Sequence, residues 1–247
     1  MPTGPLHIAR LGTVEYRDAV ALQEAAHARR GESWLLMLEH PHVYTLGVRA
    51  NPEHVLVDPA TVGATLVRAT RGGDVTYHGP GQLVGYPIVD VALRTRAIPD
   101  HVHSVEQVVI DALAQCGVDG AQRRDGCPGV WLGDEKVAAI GVRITRGRSM
   151  HGFAINVDPD LTMFEHIVPC GIRELGVTSM AAAGASVTLA EVVEVVARRA
   201  ADQWGDGELV DEPRAIGAAY AARPTGTFEK PATFDIWTRR NPVSSTS

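Results

Sequence analysis

The chain has 247 residues, of which 45% are hydrophobic and 21% charged, and this is ordinary usage for a globular protein of one domain or two small ones. Its net charge is −6 with a pI near 5.9, whereas general nucleic-acid binders are usually basic, so such a role is disfavoured. No apolar run approaches the roughly 20 residues of a membrane span, and the first residues lack the basic start and apolar core of a signal peptide.

The first half of the chain is predicted to hold short strands and one helix. A strand over 6–11 precedes a helix for which Thr13 is the predicted N-cap and Gly31 the end. The apolar run 34–38 predicts a strand buried on both faces. A loop with two prolines is expected over 49–60. Further strands are predicted over 66–69, 75–77 and 83–89.

The second half combines capped helices with hairpins. An S-x-x-Q pattern at Ser104 predicts a capping box and a helix that ends at Gly117. A second box, starting at Thr188, predicts a helix to about Trp204. Two hairpin turns between these helices link predicted strands over 129–132, 136–144 and 149–157. We therefore predict an α+β (mixed α/β) protein, with a mixed, mostly antiparallel sheet packed with helices.

The three cysteines, Cys116, Cys127 and Cys170, are odd in number and have no C-x-x-C spacing. A disulfide framework or a cysteine-rich zinc module is therefore not expected, and reduced thiols in a cytoplasmic protein are favoured. His40 and His42 flank a proline, without a carboxylate or cysteine at ligand spacing. We predict no metal and no cofactor.

The run Arg71-Gly-Gly-Asp-Val-Thr-Tyr-His-Gly-Pro-Gly-Gln82 concentrates four glycines with an arginine, a tyrosine and a histidine. Glycine lacks a Cβ, so the backbone can turn sharply or approach a ligand closely. The predicted strand inside the run has Arg71 at one end and His78 at the other. Functional loops on a rigid sheet have this character, and an ordinary hairpin with glycine turns is the alternative. The two common nucleotide-binding loops, G-x-G-x-x-G and G-x-x-x-x-G-K-[ST], are absent from the sequence.

Cys170 lies between Pro169 and Gly171, so its sulfur can project from a turn into a cleft. The nucleophilic form is the thiolate, and a free thiol with a pKa of about 8.5 needs a base or cation beside it at neutral pH. Lys136, which precedes the apolar run 137–141, can act as a partly desolvated base or as that cation. A buried inert cysteine and a solvated turn lysine stay open as alternatives.

Several unusual blocks occur in order along the chain: the run 71–82, Gly129-Val-Trp131, Lys136-x-Ala-Ala-Ile-Gly141, His151-Gly-Phe-Ala-x-Asn-Val157 and Pro169-Cys-Gly171. Together they resemble the lipoyl(octanoyl) transferases of lipoate biosynthesis, over roughly residues 9–205. The resemblance implies the catalytic-domain fold of the biotin/lipoate protein ligase superfamily. It also implies an acyltransferase domain over 1–205. The resemblance does not cover the C-terminal extension over 206–247, which is expected to be partly flexible because 224–247 carries prolines, a basic pair and a Ser/Thr end.

The resemblance implies an enzyme that moves an octanoyl group from octanoyl-acyl carrier protein to the acceptor lysine of a lipoyl domain. Such domains belong to the E2 subunits of 2-oxoacid dehydrogenases and to the H protein of the glycine cleavage system. Cys170 would carry the acyl group as a thioester, and Lys136 would lower the pKa of that thiol. The residues implied to line the acyl pocket are Arg71, Gly72, Gly73, Asp74, Val75, Thr76, Tyr77, His78, Ala139, Ile140, Gly141, Gly152, Phe153 and Ala154.

This chemistry suits the residue types. Exchange of one thioester for another is nearly isoenergetic, so covalent catalysis needs no nucleotide. Each acyl step passes through an oxyanion, for which backbone N–H groups near 72–73 or Gly141 are candidate donors. His78 either orients the thioester or Lys136, or makes a structural hydrogen bond. An apolar slot is expected where small residues leave space, at Ala139, Gly141, Gly152 and Ala154.

Three alternatives remain open at this point. An ATP-dependent lipoate or biotin ligase would share the fold but would need no nucleophilic cysteine. A non-catalytic module that binds lipoyl domains or acyl carriers would not need Lys136 and Cys170. A zinc hydrolase would use His78, His151 and Cys170, but their spacing matches no closed zinc site.

A local basic patch is expected, because an acidic chain must bind an acidic carrier protein. The candidates are Arg143, Arg146 and Arg148, which share one predicted hairpin. A solvated hairpin face is the alternative interpretation.

Overall fold

The structure is a computed structural model, and it describes residues 4–91, 97–168, 175–212 and 216. Cys170, for which we predict the nucleophilic role, lies outside the described residues. Most of the predicted C-terminal extension, including its expected flexible tail, lies outside them too.

Eleven strands and three α-helices occur in the described ranges. The strands are β1 (Leu6–Thr13), β2 (Ser33–Glu39), β3 (Val43–Leu46), β4 (Thr65–Arg68), β5 (Val75–His78), β6 (Gln82–Ile88), β7 (Gly129–Leu132), β8 (Glu135–Thr145), β9 (Arg148–Asn156), β10 (Gly176–Val177) and β11 (Leu209–Asp211). The helices are α1 (Tyr16–Ala28), α2 (Ala97–Gln115) and α3 (Leu189–Trp204). Short 3₁₀ turns occupy Pro52–His54, Pro59–Val62 and Leu161–His166.

The strands form two sheets. The larger has the order β10-β8-β9-β6-β2-β1-β11, with β7 also paired to β8. Pairing is antiparallel along β2, β6, β9, β8 and β7, and parallel where β1 and β10 join their neighbours. The smaller sheet has the order β4-β3-β5. This mixed, mostly antiparallel architecture confirms the predicted fold class. The described part of the chain has no helix with both the length and the apolar character to cross a bilayer.

Helices cover the larger sheet on both faces. Leu35 and Met37 of β2 belong to the core that packs against α2 and α3. Trp34, Leu36 and Leu38 of the same strand point to the opposite face, toward α1. All five side chains are at most 3% exposed, which confirms a strand buried on both sides. Such burial explains why its sequence is continuously apolar instead of alternating.

Two predicted helix starts are wrong. Thr13 is the last residue of β1, and α1 begins at Tyr16 with no side-chain cap. Ser104 lies inside α2, where its hydroxyl donates to the His101 carbonyl 2.7 Å away. Serine bonds to the carbonyl one turn earlier inside helices as readily as it caps them, so the short pattern was ambiguous.

The remaining landmarks of the second half agree with the prediction. Thr188 caps α3 with a complete capping box, and Gly205 ends that helix. The two hairpin turns fall at 133–134 and 146–147. Residues 209–211, which fall within the predicted extension, form the edge strand β11, paired in parallel with β1.

Candidate active site

One cavity opens between the smaller sheet and strands β8 and β9, with about 760 Å³ of empty space including its mouth. The structure brings together around it thirteen of the fourteen residues expected to line an acyl pocket; they are Arg71, Gly72, Gly73, Asp74, Val75, Thr76, His78, Ala139, Ile140, Gly141, Gly152, Phe153 and Ala154. The other, Tyr77, is fully buried and packs edge-on against Phe164. The Tyr77 ring belongs to the apolar cluster that also contains Tyr44 and Val55, so it does not line the cavity.

Arg71 organises the glycine run from inside. Its guanidinium donates to the Thr45 carbonyl at 2.6 Å and to the Thr45 hydroxyl at 2.7 Å. The other arm of the guanidinium donates to the carbonyls of Gly72 and Asp74, at 3.0 and 2.8 Å. A Cβ on Gly47 would lie 2.8 Å from this guanidinium, so a glycine is required there. The polar atoms of Arg71 therefore hold the backbone of the cavity wall.

His78 begins a chain of buried hydrogen bonds. Its Nδ1 lies 2.7 Å from Gln82 Oε1, and Gln82 Nε2 donates to Asn156 Oδ1 at 2.9 Å. Asn156 in turn donates to the Thr178 carbonyl, at 2.9 Å. Burial holds the pKa of His78 well below 6.5, so the ring is neutral and its Nδ1 donates to the amide oxygen. The expected structural hydrogen bond of His78 is therefore present, and it ties the glycine run to the segment that contains β10.

Lys136 lies in the cavity wall and is only 7% exposed. Its ammonium lies 3.5 Å from the Pro128 carbonyl oxygen and 4.7 Å from the centre of the Trp131 ring. Gly129 has a φ of +145°, and a Cβ there would lie 3.1 Å from the Cε of Lys136. The glycine therefore leaves space for the lysine, which is not a solvated turn residue.

The described residues on both sides of the Cys170 segment belong to the cavity wall. Phe164 lies on the N-terminal side and Val177 on the C-terminal side, and both line the cavity. Val177 pairs with Lys136 in the sheet, and the Thr178 amide donates to the Lys136 carbonyl at 3.0 Å. Described residues before and after 169–174 therefore lie beside the cavity, and Val177 pairs with Lys136.

The small residues have different functions in the wall. A Cβ on Gly141 would lie 3.0 Å from Arg71 Cδ and 3.1 Å from the Gly72 carbonyl oxygen, so this glycine allows the glycine run to pack closely against β8. A Cβ on Gly152 would instead lie 2.3 Å from the Gly85 carbonyl oxygen, so that glycine is needed for the close approach of β6 and β9. The amide of Gly72 donates to the Val142 carbonyl at 3.0 Å, which makes it a poor candidate for an oxyanion donor.

Sequence reasoning missed several lining residues, among them Tyr16 and Tyr86. Burial raises the pKa of Tyr16 to about 12 and lowers that of His151, another lining residue, to about 3. His40 Nε2 lies 2.8 Å from the hydroxyl of Tyr86 and its Nδ1 lies 2.6 Å from the Val14 carbonyl. Burial also lowers the pKa of His40 to about 4 and raises that of Tyr86, so all four side chains are neutral at physiological pH. Only the fold brings them together, because no local pattern marks an isolated tyrosine as part of a cavity.

The predicted basic patch is wrong at Arg148. That side chain is fully buried and donates to Asp90 at 2.9 Å, as well as to the Glu32 carbonyl. Arg143 and Arg146 are exposed. The hairpin therefore offers two cations to a partner, because the third is buried and paired with Asp90. Within the described ranges, no group of three or more potential metal ligands occurs.

Comparisons with known proteins agree with this geometry. The model of the lipoyl protein ligase A/B catalytic domain matches residues 15–201. An octanoyltransferase of Gloeobacter violaceus is 46% identical over 211 residues, which cover 85% of this chain and 91% of the relative. An octanoyltransferase of Solibacter usitatus is 44% identical, with coverage of 87% of this chain and 97% of the relative.

A solved structure with the same fold is a bi-partite lipoate protein ligase of Thermoplasma acidophilum, studied with its E2 lipoyl domain. It aligns with a TM-score of 0.69 and 18% identity, covering 90% of this chain and 91% of that one. At this identity the likeness establishes the fold alone.

Proposed function

Because the chain belongs to the lipoyl protein ligase A/B catalytic domain family, we propose that it is an octanoyltransferase that modifies lipoyl domains. The acyl donor is octanoyl-acyl carrier protein, and the acceptor is the lysine of a lipoyl domain in an E2 subunit or in the H protein of the glycine cleavage system. The high identity to octanoyltransferases over most of both chains supports this activity.

One observation carries the proposal. A cavity with a largely apolar wall has a buried lysine, Lys136, on one side, and both flanks of the Cys170 segment contribute to the same wall. A medium-length acyl chain fits the apolar residues of such a cavity, and a cysteine beside a lysine suits acyl transfer.

The proposed reaction has two acyl transfers. In the first, the Cys170 thiolate attacks the carbonyl carbon of the donor thioester, and the bond to the carrier sulfur breaks. Lys136, which took the proton of Cys170, returns it to the departing carrier thiolate. In the second, the neutral amine of the acceptor lysine attacks the Cys170 thioester. An amide forms, the bond to Cys170 breaks, and Lys136 accepts the proton that the amine loses.

The cavity wall favours an ion pair between Lys136 and a thiolate. Tyr16, His78 and His151 are neutral and at most 6% exposed, so this part of the wall carries no charge. Low polarity strengthens the attraction between the ammonium of Lys136 and a thiolate.

Intact-protein mass spectrometry after mixing with octanoyl-acyl carrier protein tests the proposal. An octanoyl-sized adduct is expected on the wild type and on Cys127→Ala, which removes a free, half-buried cysteine. The adduct should be absent from Cys170→Ala. Addition of the adducted protein to a lipoyl domain, without nucleotide, should transfer the octanoyl group.

An ATP-dependent ligase on this fold gives the opposite pattern. Free octanoate and ATP would then modify the lipoyl domain, and the carrier thioester would not. If the folded wild-type protein formed no octanoyl adduct and modified the lipoyl domain only with ATP, the proposed octanoyltransferase activity would be refuted.

A further inference from the structure

The imidazole of His54 lies beside the cavity wall and pairs with one of the residues that line it. Its Nδ1 is 2.5 Å from Asp74 Oδ2, and the two side chains are only 25% and 15% exposed. Since a carboxylate can only accept, Nδ1 donates the hydrogen. Partial burial of both groups makes this contact more rigid than a solvent-exposed pair.

Asp74 is itself held on three sides. Its Oδ1 accepts from the amides of Val75 and Asn51, at 2.7 and 3.2 Å. Its carbonyl accepts from the guanidinium of Arg71 and from the amide of Gly47. The carboxylate to which His54 binds is therefore a fixed point of the glycine run.

The backbone around His54 holds the chain that leads to Cys170. The His54 carbonyl accepts from the amide of Val168 at 2.8 Å, and the Leu56 amide donates to the His166 carbonyl at 2.9 Å. Between these bonds, Val55 forms an isolated antiparallel bridge with Ile167. In sequence, Val168 is separated from Cys170 only by Pro169.

We propose that His54 is a positioning residue, which fixes the start of the Cys170 segment relative to the acyl cavity. The inference rests on the proposed role of Cys170 as the nucleophile. The His54 side chain binds the glycine run and its carbonyl binds Val168, so a single residue joins the cavity wall to the approach of the nucleophile. No proton passes through His54 in this role.

The physical reason is the steep dependence of acyl transfer on geometry. An attacking atom must lie within about 3–3.5 Å of the carbonyl carbon and on the correct line, and a misplacement of about 1 Å can cost roughly 100-fold in rate. Without the imidazole, the turn Pro52–His54 keeps its backbone bonds to 166–168 and the 3.2 Å bond from the Asn51 amide to Asp74, but it loses the shorter side-chain bond to Asp74. The turn and the residues 166–168 are then held less firmly against the cavity wall.

The experiment measures single-turnover octanoylation of the full chain across a range of octanoyl-acyl carrier protein concentrations. We expect His54→Ala to lower the maximal acylation rate roughly 10- to 100-fold, with a half-saturating donor concentration within about twofold of wild type, because the cavity itself is intact. His54→Asn should recover most of the rate, since its amide N–H can donate to Asp74 from nearly the same position.

A control histidine lies in β1, next to the edge strand β11. His7 is also half-buried and also faces a carboxylate, with its Nδ1 3.6 Å from Glu212 Oε2. His7→Ala should acylate at the wild-type rate. Melting temperatures of all variants identify any loss of rate that comes from unfolding. The rate at which iodoacetamide alkylates Cys170, mapped by peptide mass, reports the environment of the Cys170 thiol in the absence of the donor protein.

The outcomes separate this inference from the proposed function. A wild type that forms no octanoyl adduct on Cys170 refutes the function. A wild type that acylates, with a folded His54→Ala that acylates equally fast, overturns the positioning role. Equal rate losses in His54→Ala and His54→Asn also overturn it, because the hydrogen bond to Asp74 would then be irrelevant.

Discussion

Replacement of Arg71 by methionine tests how the glycine run is held. Methionine keeps most of the apolar stem, so the change removes mainly the guanidinium. That group donates to the carbonyls of Thr45, Gly72 and Asp74 and to the Thr45 hydroxyl. Asp74 keeps a donor, the amide of Gly47 at 3.2 Å, whereas the Thr45 and Gly72 carbonyls each lose a charged donor.

The magnitude follows from these contacts. A buried acceptor deprived of its donor costs about 1–3 kcal/mol, and hydrogen bonds to charged groups lie in the upper part of this range. Gly72 is only half-buried, and Thr45 lies opposite Thr76 in the ladder between β3 and β5, so water and backbone bonds offset part of the loss. We expect Arg71→Met to lower the free energy of unfolding by about 2–3 kcal/mol, a sizeable share of the roughly 5–15 kcal/mol of a typical domain. Arg71→Lys should lose about half as much, since one ammonium cannot span both sides.

Urea titration followed by circular dichroism and by tryptophan fluorescence measures the change, and coincident transitions justify a two-state treatment. Arg10→Met is the control, because Arg10 also pairs with two partners, Glu194 and Asp211, but at a solvent-exposed edge. Its loss should cost less than about 1 kcal/mol. If Arg71→Met were destabilised no more than this control, the organising role of Arg71 would be refuted.

Three further changes have defined outcomes. Gly141→Val forces side-chain atoms against Arg71 and the Gly72 carbonyl and so displaces the cavity wall; kcat/KM for octanoyl donors should fall at least about tenfold, and an unchanged value would contradict the close packing of this wall. Thr188→Ala removes the cap of α3 and should lower the free energy of unfolding by about 1 kcal/mol in urea titration, with unchanged acylation. Burial lowers the pKa of His40 and of His101 to about 4, so the unfolded chain binds more protons below pH 6.5. The free energy of unfolding should therefore have its full value above pH 6.5 and fall by about 1–2 kcal/mol per histidine toward pH 5. In His101→Gln this fall should be smaller by the contribution of one histidine. An unchanged dependence of stability on pH in that variant would contradict the prediction.

Local patterns along the chain were sufficient to predict most elements of the fold. The continuous apolar run of β2 and the hairpins of β7, β8 and β9 follow from side-chain periodicity and turn chemistry, which act over a few residues. The unusual composition of the glycine run marked it as a candidate site, whereas the block 139–141, which lies in β8, was assigned to the pocket by the family resemblance.

Local patterns did not predict where two of the helices begin, nor which residue distant in sequence a given side chain contacts. Ser104 has the pattern of a cap but lies within α2, because the apolar face that packs against α3 extends further toward the N-terminus. Arg148 has the charge of a surface residue, yet the fold buries it against Asp90. Both cases depend on contacts between segments far apart in sequence, which overrule local preference.

By itself, the sequence determined the mixed α/β class and most elements through local periodicity, and it determined the family and most wall residues through the resemblance of its motif blocks. Only the tertiary structure decided that Tyr16 and His151 join that wall, that Tyr77 is not part of it, and that His54 connects Asp74 to the approach of Cys170. The reason is that strand pairing and sheet twist set which side chains meet, and pairing is a property of the whole chain.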